Sequence, residues 1–426
     1  MTTLQNIPSL TENETVEPMY PRGSGARRMV LIGDAGFKPT GDNTVLKFAS
    51  YQQCLAPVVD GGLGPVGSDG RSPLQQAVFD AIAEGSIYDS TNQTLGVDFV
   101  YVINVRTNDT LVGGDLPALT KDDWEEAIIL AETIPEMELE EVFVGCYDTD
   151  VMTDELSTDG TKTGYIPHAH IMRSNGQKRI GFFTVDPTKT IVLTSGENDI
   201  TGMTDDVSSS FVVIHIDPLM QVKFATKCAC TPFYNDPAYG GYRSQLVPTE
   251  TVPIPMSRPD MDAYIGAGIV VDWLSINPNT IGQVEPCIAV ATSYKPDPDT
   301  DVRPADAYLH QRLNVDRMSL DTNNIAMAMI KQNDTVTAQN MALASITSYL
   351  QNAVSQGYIQ PKLVADDIGP ADPGFYIDLA IDDINPFQID KNMKTRPIGA
   401  IYMIQDNEII QAPVTGAAAS SSTGGG

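Results

Sequence analysis

Four stretches hold residue types whose spacing could do chemistry. "VLIGDAGFKPT", residues 30–40, is an apolar run ending at Gly33, with Gly36, Lys38 and Thr40 close behind. Glycine-freed backbone amides beside a lysine are how a phosphate loop holds its ligand. Here the four-residue spacer and the Gly-Lys-Ser/Thr ending are missing, as is G-x-G-x-x-G, and Pro39 keeps a helix from starting behind Lys38. A turn at the end of a strand is expected instead. "DPDTD" places Asp297, Asp299 and Asp301 at calcium-loop spacing. Val302 stands where such a loop needs glycine and Tyr308 where it needs glutamate, so a solvated turn is expected. His168 and His170 in "PHAH", and Cys228 and Cys230 in "CAC", each offer two metal ligands without the second half of a closed tetrahedral site. His215, inside the apolar "VVIHID", reads as a hydrogen-bonded core residue, and His310 stands singly. Neither a Ser-His-Asp order nor a nucleophile elbow stands out. The sequence therefore assigns no catalytic, cofactor-binding or metal-binding residue, and no cofactor.

The chain has 426 residues, 55 of them Asp or Glu against 26 Lys or Arg, for a net charge of −29. So negative a surface repels phosphate backbones, and the pair Arg27 and Arg28 is too short for a basic patch, which argues against direct nucleic-acid binding. An apolar share of 42% supports a sizeable core, and the length allows two or three domains. Five scattered cysteines (Cys54, Cys146, Cys228, Cys230 and Cys287) form no disulfide framework and point to free buried thiols. The opening "MTTLQNIPSLTENETVEP" is polar, and the longest apolar run, "AYIGAGIVV" at 263–271, is too short to span a bilayer. A soluble, intracellular chain without membrane insertion is expected.

The elements that must position these residues alternate between strand and helix. "MVLIG" suits a buried strand. "SPLQQAVFDAIAEG" offers Ser72 as cap, Pro73 in the first turn, Gln75 for a capping box and Gly85 as stop, with Leu74, Ala77, Val78, Ala81 and Ile82 on one stripe. "DFVYVINV" (98–105) follows as a strand. A second helix starts at Thr120, with acids in its first turn and Trp124, Ala127, Ile128 and Ala131 on one face. "LEEVFVGC" (139–146), "KRIGFFTVDP" (178–187) and "SSFVVIHIDP" (209–218) read as strands, the last two closed by Asp-Pro turns. Such alternation argues for an α/β layer with a partly parallel sheet. Past residue 276, "PCIAVATSY" reads as a strand. A helix then carries Ala342, Ile346, Tyr349, Leu350 and Ala353 on one face and ends at Gly357. "GFYIDLAIDDI" (374–384) and "RPIGAIYMIQDNEIIQ" (396–411) read as strands. The expected organisation is an extended arm at 1–28 and α/β domains over 29–275, with the segment around 148–275 a candidate surface insertion. A C-terminal core domain at 276–411 ends in a linker strand, and 412–426 is a flexible tail.

The order of these pieces resembles the sheath protein of contractile phage tails and related contractile injection systems. "VLIGDAGFKPTGDNTVLKFASYQQC" looks like the family's opening strand, glycine turn and following segment. "LQQAVFDAIAEGSIYDSTNQTLGVDFVYVINV" and "LTKDDWEEAIILAETIPEMELEEVFVGC" are similar to its next two helix-and-strand units. "MRSNGQKRIGFFTVDP" resembles its basic cluster, apolar strand and proline, and "YLHQRLNVDRMSLDTNNIAMAM" with "TSYLQNAVSQGYI" look like its C-terminal domain. The resemblance covers most of residues 29–411.

It implies a mixed α/β (α+β) fold: a multi-domain sheath-like core of mixed sheets flanked by helices, with extended arms at both ends. The implied role is structural, not enzymatic. Copies stack as a helical array of rings around a tail tube and contract to drive the tube through a host envelope. The implied partners are further copies of the chain, the tube protein, and baseplate and tail terminator proteins, in a virion tail assembled in the host cytoplasm. Arms at the chain ends would add strands to neighbouring subunits, and such open contacts build helical arrays. Residues 1–28 have the composition of an arm or of a disordered leader, and 398–411 suit a partner strand or an ordinary internal one. Two other readings stand beside this one. The first is a baseplate or tube component, and the second an enzyme on a doubly wound sheet with Asp34, Asp186 or Asp217 as strand-end acids.

Overall fold

A seven-stranded sheet runs through the first half of the computed structural model. β1 (Arg28–Gly33) is its third strand, between β3 (Val100–Asn104) and the central β4 (Glu138–Phe143). β5 (Lys178–Thr184), β6 (Val212–His215) and β7 (Ile269–Val270) follow outward from β4, all parallel. β2 (Leu46–Phe48) pairs antiparallel with β3 and closes the other edge. The structure describes residues 27–38, 44–68, 70–89, 98–108, 111, 115–153, 164–186, 207, 209–230, 260–261, 264–265, 267–274, 284–286, 308–330, 336–359, 373–381 and 389–395.

Helices cover both faces of the sheet, which is why its strands read as apolar runs without alternation. α1 (Tyr51–Cys54) follows β2, and α2 (Pro73–Asp89) buries Leu74, Ala77, Val78 and Ala81 against Met29, Leu31 and Val102. On the opposite face α3 (Lys121–Ala131), α4 (Thr149–Thr153) and α5 (Tyr165–Ser174) pack over Val30, Ile32, Phe143 and Phe183. α6 (Pro218–Cys230) returns to the face of α2. The expected capping box forms, Gln75 N–H donating to Ser72 Oγ and Ser72 N–H to Gln75 Oε1, and the expected cap Thr120 makes the same exchange with Asp123. Two expectations change. α2 runs through Gly85 to Asp89, because tertiary packing offsets the roughly 1 kcal/mol a mid-helix glycine costs. Asp217-Pro218 does not turn the chain after β6 but starts α6, with proline in the first turn, where its missing N–H has no helical partner to lose. The stretch 148–275 supplies β5, β6 and β7 to the sheet, and α4 buries Val151 and Met152.

The C-terminal part is a second layer. α7 (Leu309–Ile330) and α8 (Val336–Ser355) pack on an antiparallel ribbon of β10 (Phe375–Ile381) and β11 (Ile389–Thr395), while β8 (Asp272–Leu274) and β9 (Val284–Pro286) form a small pair. Ala342, Ile346, Tyr349, Leu350 and Ala353 of α8 are all buried, as their spacing predicts. They meet Phe375, Ile377, Leu379 and Met393 on one face of the ribbon. α7 serves both layers: Leu309 and Leu313 join the core of the large sheet, and Met318 joins that of the ribbon. The strand expected at 396–411, residues 1–26 of the expected arm and the tail at 412–426 lie outside the described residues, whereas Arg27 and Arg28, expected to end the arm, belong to the body: Arg27 is buried and Arg28 opens β1.

Candidate functional site

In a doubly wound sheet, ligands bind beyond the carboxyl ends of the strands where strand order reverses. That point is β1, whose carboxyl end runs into Gly33 and Asp34. Here the crevice is filled by the protein itself. Arg106 grips the Asp34 carboxylate with two donors, one of them Nε to Oδ1 at 2.8 Å, and its Nη1 donates to the carbonyls of Pro117 (3.0 Å) and Asn108 (3.3 Å). Asn104 accepts from Ala35 N–H at 3.2 Å and donates Nδ2 to the Phe37 carbonyl at 2.8 Å. Gly36 N–H is held by Asp34 Oδ1 at 2.7 Å, and Leu74 N–H at the start of α2 by the Asp34 carbonyl at 3.1 Å. Amides that could greet a phosphate are already spent, and a carboxylate stands among them. Gly36, at φ +80°, makes the turn. A Cβ at Gly33 would meet Val144 Cβ at 3.0 Å, so that glycine serves close packing of strand and helix.

The other candidates disperse in the same way. His168 is completely buried on α5, with Nδ1 3.3 Å from Glu132 Oε1 and Nε2 3.1 Å from Glu141 Oε2. His170, on the same helix, meets Phe211 edge-on at 4.8 Å. Cys228 and Cys230 on α6, Cys54 on α1 and Cys146 just beyond β4 are buried thiols outside any disulfide. His215 is a core residue: Nδ1 accepts from Asp217 N–H at 3.0 Å and Nε2 lies 3.1 Å from Asp272 Oδ2. Burial alone would lower its pKa, but the charges and hydrogen bonds of Asp272 and Asp217 together hold it above the usual histidine value. Asp34 is paired across the β1–β3 edge and Asp217 is buried beside His215, so these strand-end acids are committed to structure. Asp297, Asp299 and Asp301 lie outside the described residues. Among the described residues no group of three or more His, Cys, Asp or Glu could hold a metal ion, and no helix is long and apolar enough to cross a membrane.

The densest chemistry lies at the other end of the sheet, in residues that belong to none of these motifs. β4 is "ELEEVF", and Glu138, Glu140 and Glu141 are all buried on it. Successive strand residues face opposite sides. Glu141 therefore meets α5, where it holds His168 and lies 3.4 Å from Arg179 Nε. Arg179 also donates to the carbonyls of Glu136 and Ile134 at 2.7 and 2.9 Å. Burial opposes a charged His168, yet Glu141 and Glu132 outweigh it and hold its pKa up at about 9. Glu138 and Glu140 face α6 and α7. Arg317 Nη2 reaches Glu138 Oε2 at 2.5 Å, and Arg173 forks onto Asp316 of α7 with two 2.6 Å bonds, joined there by Arg312. Burial would raise Asp316, but the two guanidiniums hold it far below the usual carboxylate range. Apart from the Arg312–Asp316 pair within α7, these contacts tie separate parts of the chain together. The arrangement is a fastening between layers, with no open position for a reacting atom. Its one sequence signal was an acidic triplet inside a central strand.

No protein-family model matches the chain, and no curated protein is similar to it in sequence. Solved structures do match. A chain of the anti-feeding prophage baseplate superposes with TM-score 0.55 at 11% identity, covering 95% of this chain and 99% of that one. A chain of the PVC sheath complex, an extracellular contractile injection system in its contracted state, gives 0.51 at 11% identity over 90% and 92%. A sheath tail protein from Listeria innocua gives 0.52 at 11% identity over 88% and 93%. The fold is that of contractile sheath proteins. The sheath fold runs through both layers of this chain, so the expected mixed α/β core flanked by helices is the architecture observed.

Proposed function

We propose that this chain is a structural subunit of a contractile sheath, without enzymatic activity of its own. Copies polymerise as a helical array of rings around a tail tube, between baseplate and terminator proteins, and contract to push the tube through a host envelope. The observation that carries this reading is extent: the likeness to a chain of a contractile injection machine spans 95% of this chain and 99% of that one. The plugged crevice at β1 supports it, because the amides there are already paired within the chain.

The β10–β11 ribbon supports the assembly logic. Among the described residues neither of its outer edges is paired, and Tyr376 stands 54% exposed on its outward face. Open strand edges accept further strands through main-chain hydrogen bonds whatever the side chains. In this proposal the part of the expected 1–28 arm that precedes Arg27, together with the strand at 398–411, adds to such edges on neighbouring copies, and rigid-body rotation of the subunits gives contraction.

Electron microscopy of the purified full-length chain tests the proposal. Rods or striated tubes are expected, and a monomer at every concentration tried would overturn it. Deleting residues 2–26, which stops short of buried Arg27 and of β1, should leave a folded subunit that makes no tubes; normal tubes from the shortened chain would remove the arm from the account.

A further inference from the structure

Among the carboxylates fastening α7 to the sheet, Glu140 lacks a close counter-charge. Glu138 has Arg317 at 2.5 Å and Asp316 has two arginines, whereas the nearest cation to Glu140 is Arg27 Nε at 3.8 Å. Arg27 is held elsewhere, with Nη1 donating to the Cys228 carbonyl at 2.9 Å. Glu140 is 1% exposed, on a strand flanked by β1 and β5, and its Oε2 has no hydrogen-bond partner. Burial with only a single distant cation, and with one oxygen left without a hydrogen bond, favours the protonated carboxyl.

We propose that the joint between the sheet and α7 is a proton-linked latch: it closes with Glu140 neutral, and losing that proton loosens α7 and the C-terminal layer from the sheet. The charged groups turned toward this joint come from every element around it. Arg27 precedes β1, Glu138 is on β4, Lys178 on β5, Arg173 on α5, the buried Lys227 on α6, and Arg312, Asp316 and Arg317 on α7. Farther along α7, Asp321 accepts from the Tyr349 hydroxyl at 2.8 Å, and Lys391 of β11 donates to Thr322 Oγ1 at 2.8 Å. The latch belongs to the single subunit and does not depend on assembly.

The direction follows from which state binds the proton. Burial, with the neighbouring Glu138 and Asp316 charges adding to it and Arg27 opposing, pushes Glu140 up to about 8 from an ordinary 4.5. The closed joint holds the proton and the open one releases it, so closure weakens as pH rises from about 5 toward 8. Asp321, pushed up to about 6 by burial, acts in the same direction but is spent at lower pH. Asp316 acts in the opposite direction and only in strong acid. Lys178 and Lys391 are both lowered by burial, Lys391 to about 8, so that Lys391 titrates only near the upper end of this window.

Hydrogen exchange of the full chain at pH 6 and pH 8, corrected for intrinsic rates, reads the latch. The opening constant of α7 should rise by tens-fold, at most about 50-fold, between the two. α3, on the far face of the sheet, serves as internal reference. Glu140→Gln should flatten the rise in α7. An α7 that opens equally at both pH values, or the same rise in the glutamine variant, would overturn the proposal. Should the variant not fold, infrared spectroscopy of the unaltered protein decides. A buried protonated carboxyl band at pH 6.5 that fades by pH 9 supports the latch, and its absence at pH 6.5 rejects it.

Discussion

Replacing His168 with glutamine should cost about 3 kcal/mol at pH 6 and almost none of that at pH 9.5, above a fixed packing loss common to both. The reasoning starts from geometry. Both ring nitrogens face carboxylate oxygens, at 3.3 Å and 3.1 Å, and only the doubly protonated ring can donate to both. The folded protein therefore holds a proton on His168 up to about 9, against 6.5 for an unperturbed histidine. A group raised in the folded state stabilises it fully below its unfolded value, and that stability is lost as pH climbs through the folded one. Glutamine can still reach Glu141 but carries no charge, so the gap between the two proteins should close over pH 6.5 to 9. Urea unfolding followed by tryptophan fluorescence measures it, since Trp124 is buried in the same core. A gap that stays constant or widens with pH would show that the ring is neutral in the fold and that Glu141 serves Arg179 alone.

Two further substitutions probe the frame. Gly181→Ala should destabilise the protein by about 1–3 kcal/mol, read as a lowered thermal midpoint. Its Cβ would lie 2.5 Å from Tyr165 Cε1, on a ring backed by Phe143 and Phe183, and an unchanged midpoint would mean the ring can yield. Arg106→Ala strips the Asp34 carboxylate and two carbonyls of their donor and should cost about 1–3 kcal/mol. It should create no ATP binding by calorimetry; clear binding would make the arginine a stopper in a nucleotide site.

The strands and helices that bury one face were legible because their information is local. Ser72 with Gln75, Thr120 with Asp123, and the stripe from Ala342 to Ala353 each lie within a few turns of chain. α6 was missed although Asp217-Pro218 is a fair helix start, since the same pair also suits a turn and only packing against the sheet selects between them. β11, "IDKNMKT", has weak strand propensity and owes its conformation to pairing with β10. The fastening on β4 was out of reach for another reason. Its partners are Arg27, His168, Arg173, Arg179 and Arg317, and the Arg173–Asp316 pair alone spans 143 positions. No window of sequence contains both halves of such a bond.

Leu309 and Leu313 complete a core whose other members lie before residue 271. A ribosome delivering this chain from its amino end therefore exposes an unfinished apolar surface until the first turns of α7 emerge. Chains whose sheet layer can form early usually do so during synthesis, and those that cannot are exposed to aggregation in the interval. Late arrival of α7 has a benefit as well. The ribbon of β10 and β11 follows it, so the edges that the proposed assembly would use come into being only after the body that carries them is closed.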